Sequence, residues 1–153
     1  MKILIIEDDS FKAASLQSFL TSNLRELEIT LAPSLVNAID ALEESEYSLI
    51  LLDMAIPSHP TQPGEGAPMS LLTGGLEILM EIRAMDRQDP CVIITQYPEI
   101  EISGAYYSLP DSKLQLKKEL DCDVVDCIEY SEGSKVWKQA LGGILKKYEN
   151  FNS

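Results

Sequence analysis

The chain has 153 residues, of which 45% are hydrophobic, and a formal net charge of −13 at pH 7. This length buries a sizeable core without staples, and the acidic excess argues against nucleic acid and against anionic membrane surfaces as partners. No apolar run approaches the roughly 20 residues needed to span a bilayer, Met1 leads straight into a strand with no signal-peptide pattern, and the sparse cysteines (Cys91, Cys122, Cys127) fit a reducing compartment, so a cytoplasmic protein is expected.

In chain order, Lys2 to Ile6 reads as a buried strand. Ser10 is positioned to cap a helix carrying Phe11, Leu16, Phe19, Leu20 and Leu24 on or near one face. Leu27 to Leu31 is a short second strand. Ser34 caps a helix with Leu35, Ala38, Ile39 and Leu42 at helical spacing. Ser48 to Asp53 is strand three. Met54 to Thr73, rich in Pro, Gly and Ser, reads as a long inserted loop at about 54–74. The part from Ser58 to Thr73 is expected to be mobile when the neighbouring pocket is empty and to cover Asp53 in part. Gly74 and Gly75 lead into a helix with Leu76, Leu79 and Ile82 on one stripe. Cys91 to Thr95 is strand four. Tyr97 to Pro110 gives no clear pattern. Asp111 or Ser112 starts a short polar helix ending near Leu120, and Val124 to Ile128 is strand five. Trp137, Ala140, Leu141, Ile144 and Tyr148 mark the last helix, with Lys146 and Lys147 complementing its dipole. Five strands alternating with five helices predict an α/β fold with a parallel sheet, right-handed crossovers and helices on both faces, in a single domain over 1–153.

Two strands end on carboxylates: Ile6 is followed by Glu7, Asp8 and Asp9, and Leu52 by Asp53. Ligands of open α/β sheets sit outside the carboxyl ends of the strands. If these two strands are neighbours, the carboxylates crowd one pocket and raise each other's pKa unless a cation neutralises them. Hard oxygen ligands partly open to water suit Mg²⁺, beside an aspartate able to act as a nucleophile.

With these residues in order, the chain resembles the response-regulator receiver domain of two-component signalling over nearly its whole length. The resemblance implies a flavodoxin-like (CheY-like) three-layer fold with sheet order 2-1-3-4-5. It implies that Asp8 is the main metal-binding acid, Glu7 the supporting one and Asp53 the phosphoacceptor, since Asp53 follows an apolar strand and precedes Pro57. By the same analogy the Ala55 backbone carbonyl is a further Mg²⁺ ligand. Thr95, ending Val92-Ile93-Ile94-Thr95, matches the hydroxyl residue that donates to the phosphoryl group, although a threonine there can also satisfy turn backbone. The sequence departs from the family pattern after strand five. Tyr130 stands where the family carries a lysine, Lys135 should already lie inside the last helix, and Cys127 takes the place of the switch aromatic. Gln96 and Tyr97 stand where small residues are usual.

The expected function is that of a stand-alone, non-enzymatic receiver. It takes a phosphoryl group from a histidine kinase or phosphotransfer protein and signals through a downstream protein partner; homodimerisation is left open. The alternative is a phosphorylation-independent pseudo-receiver, which Tyr130 and the long loop favour. A Mg²⁺-dependent phosphatase with an aspartyl-phosphate intermediate is disfavoured by Ala55, where a second acid would be needed.

Overall fold

The computed structural model describes residues 1–59, 70–71 and 74–152. Its central sheet has five parallel strands: β1 (Lys2–Ile6), β2 (Glu28–Ala32), β3 (Leu49–Leu52), β6 (Cys91–Thr95) and β9 (Asp126–Glu129), in the order β2-β1-β3-β6-β9. This is the 2-1-3-4-5 order once two small antiparallel ribbons are set aside. One ribbon pairs β4 (Ile56–Pro57) with β5 (Ser70–Leu71); the other pairs β7 (Glu99–Ile102) with β8 (Ala105–Ser108). The helices are α1 (Ser10–Asn23), α2 (Leu35–Glu44), α3 (Gly74–Ala84), α4 (Leu109–Leu120) and α5 (Val136–Asn152). Among the described residues no helix is long and apolar enough to cross a membrane.

The three central strands β1, β3 and β6 are apolar on both sides because both sides are covered. Side chains alternate along β1: Ile3 and Ile5 pack with Leu16 and Leu20 of α1 and with Trp137, Leu141 and Leu145 of α5. Leu4 and Ile6 point the other way, into a cluster with Ala38, Leu42, Ile78, Leu79 and Leu116 from α2, α3 and α4. Each such aliphatic side chain contributes about 1.5–3 kcal/mol through burial.

Helix starts follow local chemistry, with corrections to the sequence reading. Asp9, not Ser10, caps α1, accepting hydrogen bonds from the Phe11 and Lys12 amides. Phe11 is not on the buried stripe; it is 81% exposed. Ser34 caps α2, as read. Helix α4 starts earlier than Asp111, because the Ser108 hydroxyl accepts from the Asp111 amide and Pro110 occupies the first turn. Lys135 lies just before α5, its carbonyl accepting from the Gln139 amide. The stretch that gave no clear pattern contains the β7–β8 hairpin. Its turn residues Ser103 and Gly104 both have positive φ, 52° and 84°, the requirement of a type I′ turn. The Glu99-Ile100-Glu101-Ile102 alternation before it is a period-two signal.

The inserted loop is anchored at its base by the β4–β5 pairing. Most of the stretch from Ser58 to Thr73 expected to be mobile and to cover Asp53 in part, positions 60–69 and 72–73, lies outside the described residues. At the start of α3, a Cβ on Gly75 would stand 2.8 Å from the Asp53 carbonyl oxygen and 2.7 Å from Met54 Cα. Glycine therefore lets α3 press directly on the backbone that carries Asp53, and the Gly75 amide donates to the Met54 carbonyl at 2.9 Å.

Candidate phosphoacceptor and metal site

Strands β1 and β3 are adjacent and in register, with Ile6 opposite Leu52. One residue further on, the Asp53 amide still donates to the Ile6 carbonyl at 3.0 Å, and the Glu7 amide to the Ala32 carbonyl at 3.1 Å. The sheet thus delivers Glu7 and Asp53 to the same level at its carboxyl edge. Carboxylate oxygens of Glu7, Asp8 and Asp53 lie within 4.8 Å of one another, with Glu7 and Asp53 buried and Asp8 exposed. Asp9 is drawn away from this group by its capping bonds. Ala55 is buried on the segment leaving Asp53, and one Asp53 oxygen accepts from the Met54 amide at 2.8 Å.

A residue absent from the sequence reading lies at the centre of the site. Lys12, the third residue of α1, is 2% exposed. Its ammonium donates to Glu7 Oε2 at 3.2 Å, to the Ile94 carbonyl at 2.7 Å and to Gln96 Oε1 at 3.1 Å. Asp53 Oδ2 is 3.6 Å away. The signal was present in the sequence: Lys12, Leu16 and Leu20 recur at four-residue spacing, so the lysine sits on the apolar stripe. A charge on such a stripe needs a buried partner.

The charges do not balance within the protein. Burial pushes the Glu7 carboxyl up to about 9, and the Asp53 charge adds to this while Lys12 opposes it. Partial burial raises Asp8 as well, with Asp53 and Asp9 pushing the same way. Glu7 Oε1 is buried and has no hydrogen-bond partner among the described residues. Three carboxyl groups facing one ammonium, with one oxygen orphaned, fit a divalent cation held by hard oxygen ligands.

The remaining site residues occupy the neighbouring strands. Thr95 is fully buried at the end of β6, and its hydroxyl oxygen accepts from the Tyr97 amide at 3.3 Å, the turn role that the sequence had left open. Tyr130 is the first residue after β9, its amide donating to the Thr95 carbonyl at 2.8 Å. Its ring packs on Trp137, with centroids 5.1 Å apart, and the Lys12 ammonium lies 5.5 Å from its centroid. Tyr130 therefore enters the site as a ring against which Lys12 rests. Cys127 is half-buried; burial pushes its thiol and that of Cys91 up to about 12, which removes thiolate chemistry from both.

A family profile described as the response regulator receiver domain matches residues 3–110. The Detocs response regulatory protein DtcB of Vibrio alginolyticus is 36% identical over 147 residues, spanning 94% of this chain and 99% of that protein. The protein of the same name from Enterobacter cloacae (strain JD6301) is 26% identical over 147 residues, spanning 92% and 95%. Among solved structures, the Mn²⁺-bound response regulator Rcp1 is similar with a TM-score of 0.63 at 20% identity, covering 94% of this chain and 90% of its own. The phosphorylated cyanobacterial phytochrome response regulator RcpA reaches 0.64 at 20% identity, covering 96% and 92%. At that identity the structural likeness speaks to the fold.

Proposed function

We propose, for a chain that belongs to the response regulator receiver family, that Asp53 accepts a phosphoryl group from a histidine kinase or phosphotransfer protein and that the modified chain signals through a protein partner. The observation that carries this is the delivery of Asp53 to one level with Glu7 and Asp8 at the carboxyl edge of β1 and β3. The relatives named as response regulatory proteins support the same reading.

In the transfer, an Asp53 carboxylate oxygen attacks the phosphorus of a donor phosphohistidine. The new P–O bond forms as the P–N bond breaks, and the imidazole leaves with that electron pair and takes up a proton. The product is an acyl phosphate on Asp53. Catalysis of such a step is mainly positioning and charge stabilisation. Mg²⁺ held by Asp8 and Asp53, with Glu7 supporting and the Ala55 carbonyl as a further ligand, would neutralise charge on the phosphoryl oxygens. The Met54 amide fixes the rotation of the Asp53 carboxylate through its hydrogen bond to Oδ1. Thr95 accepts from the Tyr97 amide and keeps its own O–H proton to donate to a phosphoryl oxygen.

Ala55, two residues after Asp53, offers no second acid, so a phosphatase built on the same intermediate lacks its proton donor. A phosphorylation-independent module is the second reading. It is favoured by the pairing of Lys12 with Asp53 and Glu7, which already offsets part of the pocket's charge without any phosphoryl group. The deciding experiment is mass spectrometry after incubation with acetyl phosphate and Mg²⁺. A gain of one phosphoryl mass in the wild type, lost in Asp53→Asn, is expected. An unlabelled wild type would favour the second reading.

A further inference from the structure

Lys12 is a cation on the apolar stripe of α1, between the core and the carboxylates. A buried ammonium persists only when its charge and its hydrogens are answered. Its three N–H groups are used by Glu7, the Ile94 carbonyl and Gln96. Asp53 Oδ2, at 3.6 Å, is outside hydrogen-bond distance and interacts by charge alone. The ammonium is therefore held beside the phosphoacceptor, and one of these three N–H groups has to change partner before it donates to a phosphoryl oxygen. Lys12 also lines a surface cleft with Gln96, Tyr130, Ser131 and the acids Asp9, Glu129 and Glu132, where it is the one basic residue among the described residues. Among the described residues, no other basic side chain forms an ion pair with Glu7 or Asp53.

Phosphoryl transfer to a carboxylate brings a polyanion into an acidic pocket, and a positioned cation is the direct answer to that charge. We propose that Lys12 is the residue that pairs with a phosphoryl oxygen on Asp53, so that this chain supplies its positive side chain from the first helix, with Tyr130 giving the ammonium a ring to rest on. The inference rests on the reading of Asp53 as phosphoacceptor and adds a residue to that site.

Two measurements test it: the rate of acetyl phosphate labelling, and the affinity for beryllofluoride with Mg²⁺ read by Trp137 fluorescence. Beryllofluoride is a phosphoryl mimic, and Trp137 is joined to Lys12 through the Tyr130 ring. Lys12→Met keeps the length of the side chain and removes the charge. It is expected to weaken both by about ten- to a hundredfold, the range of one charge-assisted hydrogen bond. The double variant Lys12→Met with Tyr130→Lys returns a cation to the pocket from the other side and should recover at least part of both. If the wild type labels, Asp53→Asn does not, and Lys12→Met equals the wild type, the role of Lys12 is overturned while Asp53 stands. A double variant as stable as Lys12→Met yet no better in either measurement would mean that the single change acted through packing, and would also overturn it. If the wild type neither labels nor binds beryllofluoride, the phosphoacceptor reading falls and this inference with it. Should Lys12→Met fail to fold, Lys12→Gln takes its place in every comparison.

Discussion

Lys12 Nζ lies 3.6 Å from Asp53 Oδ2, with both side chains 2% exposed. An ion pair this far from water is costly to break, because the group left behind stays buried and unpaired. Lys12→Met should therefore destabilise the metal-free protein by about 3 kcal/mol, the low end for removing one partner of a buried pair. Thermal melts with and without Mg²⁺ check this. The deficit should shrink when Mg²⁺ is added, because the cation replaces the lost charge. An equal deficit in both conditions would place the metal elsewhere.

The raised Glu7 pKa makes a prediction with a definite sign. A folded value of about 9 against an ordinary 4.5 means that the folded, metal-free protein holds a proton that the unfolded chain releases. Stability then falls as pH rises between about 4.5 and 9. Glu7→Gln should flatten this slope and be the more stable protein at pH 8 in chelator. Mg²⁺ binding should release protons near neutral pH and strengthen as pH rises. Calorimetry in buffers of different ionisation enthalpy reads the proton count directly, and no release in the wild type would contradict the assignment.

Gly75 is where α3 touches the backbone of Asp53. Gly75→Ala places a methyl group 2.7 Å from Met54 Cα and 2.8 Å from the Asp53 carbonyl oxygen. Neither neighbour is a flexible side-chain end that can swing away. The cost should be about 1–3 kcal/mol, as for overpacking elsewhere. Acetyl phosphate labelling should also slow, because Asp53 must shift with its backbone. Chemical denaturation and mass spectrometry on the same samples separate the two effects.

Tyr130 contributes its ring more than its hydroxyl. Tyr130→Phe should therefore stay within about 1 kcal/mol of the wild type in stability and label at a similar rate. Tyr130→Ala should lose about 3 kcal/mol or more through the cavity left beside Trp137. A large loss of labelling in Tyr130→Phe alone would show instead that the hydroxyl contacts the phosphoryl group.

At the opposite end of the sheet, Arg87 and Asp89 tie the start of β6 to α2. Arg87 donates to both Asp89 oxygens, at 2.8 and 2.9 Å, and to the Leu42 and Ser45 carbonyls. Burial alone would raise Asp89, but the hydrogen bonds from Arg87 and from the Tyr47 amide outweigh it and hold the carboxyl below its ordinary value. A depressed carboxyl contributes stability above its unfolded pKa and loses it as pH falls through the lower, folded one. Arg87→Ala should cost about 3 kcal/mol near neutral pH and less in acid, where Asp89 is protonated. Acid titration of both proteins by circular dichroism would read the difference.

Much of this protein was legible from one dimension. Apolar runs ending on Glu7 and on Asp53 follow from what a strand buried on both faces must contain and from where it must stop. The caps at Ser34 and the stripes of α2, α3 and α5 follow from hydrogen-bonding and packing periods that act within a few residues. The β7–β8 hairpin was also written locally, in Glu-Ile alternation and a Ser-Gly turn, but the short period was hidden between a proline-bearing turn and a polar helix. What only the tertiary structure decided is which charges meet. Lys12 is five residues from Glu7, 41 from Asp53 and 84 from Gln96 in the chain, and no local period links the last two to it. The parallel register brings β1, β3 and β6 to one edge, and α1 packs its buried stripe against that edge. There the carboxylates meet a lysine from the first helix, because electrostatics depends on distance through space and not along the chain.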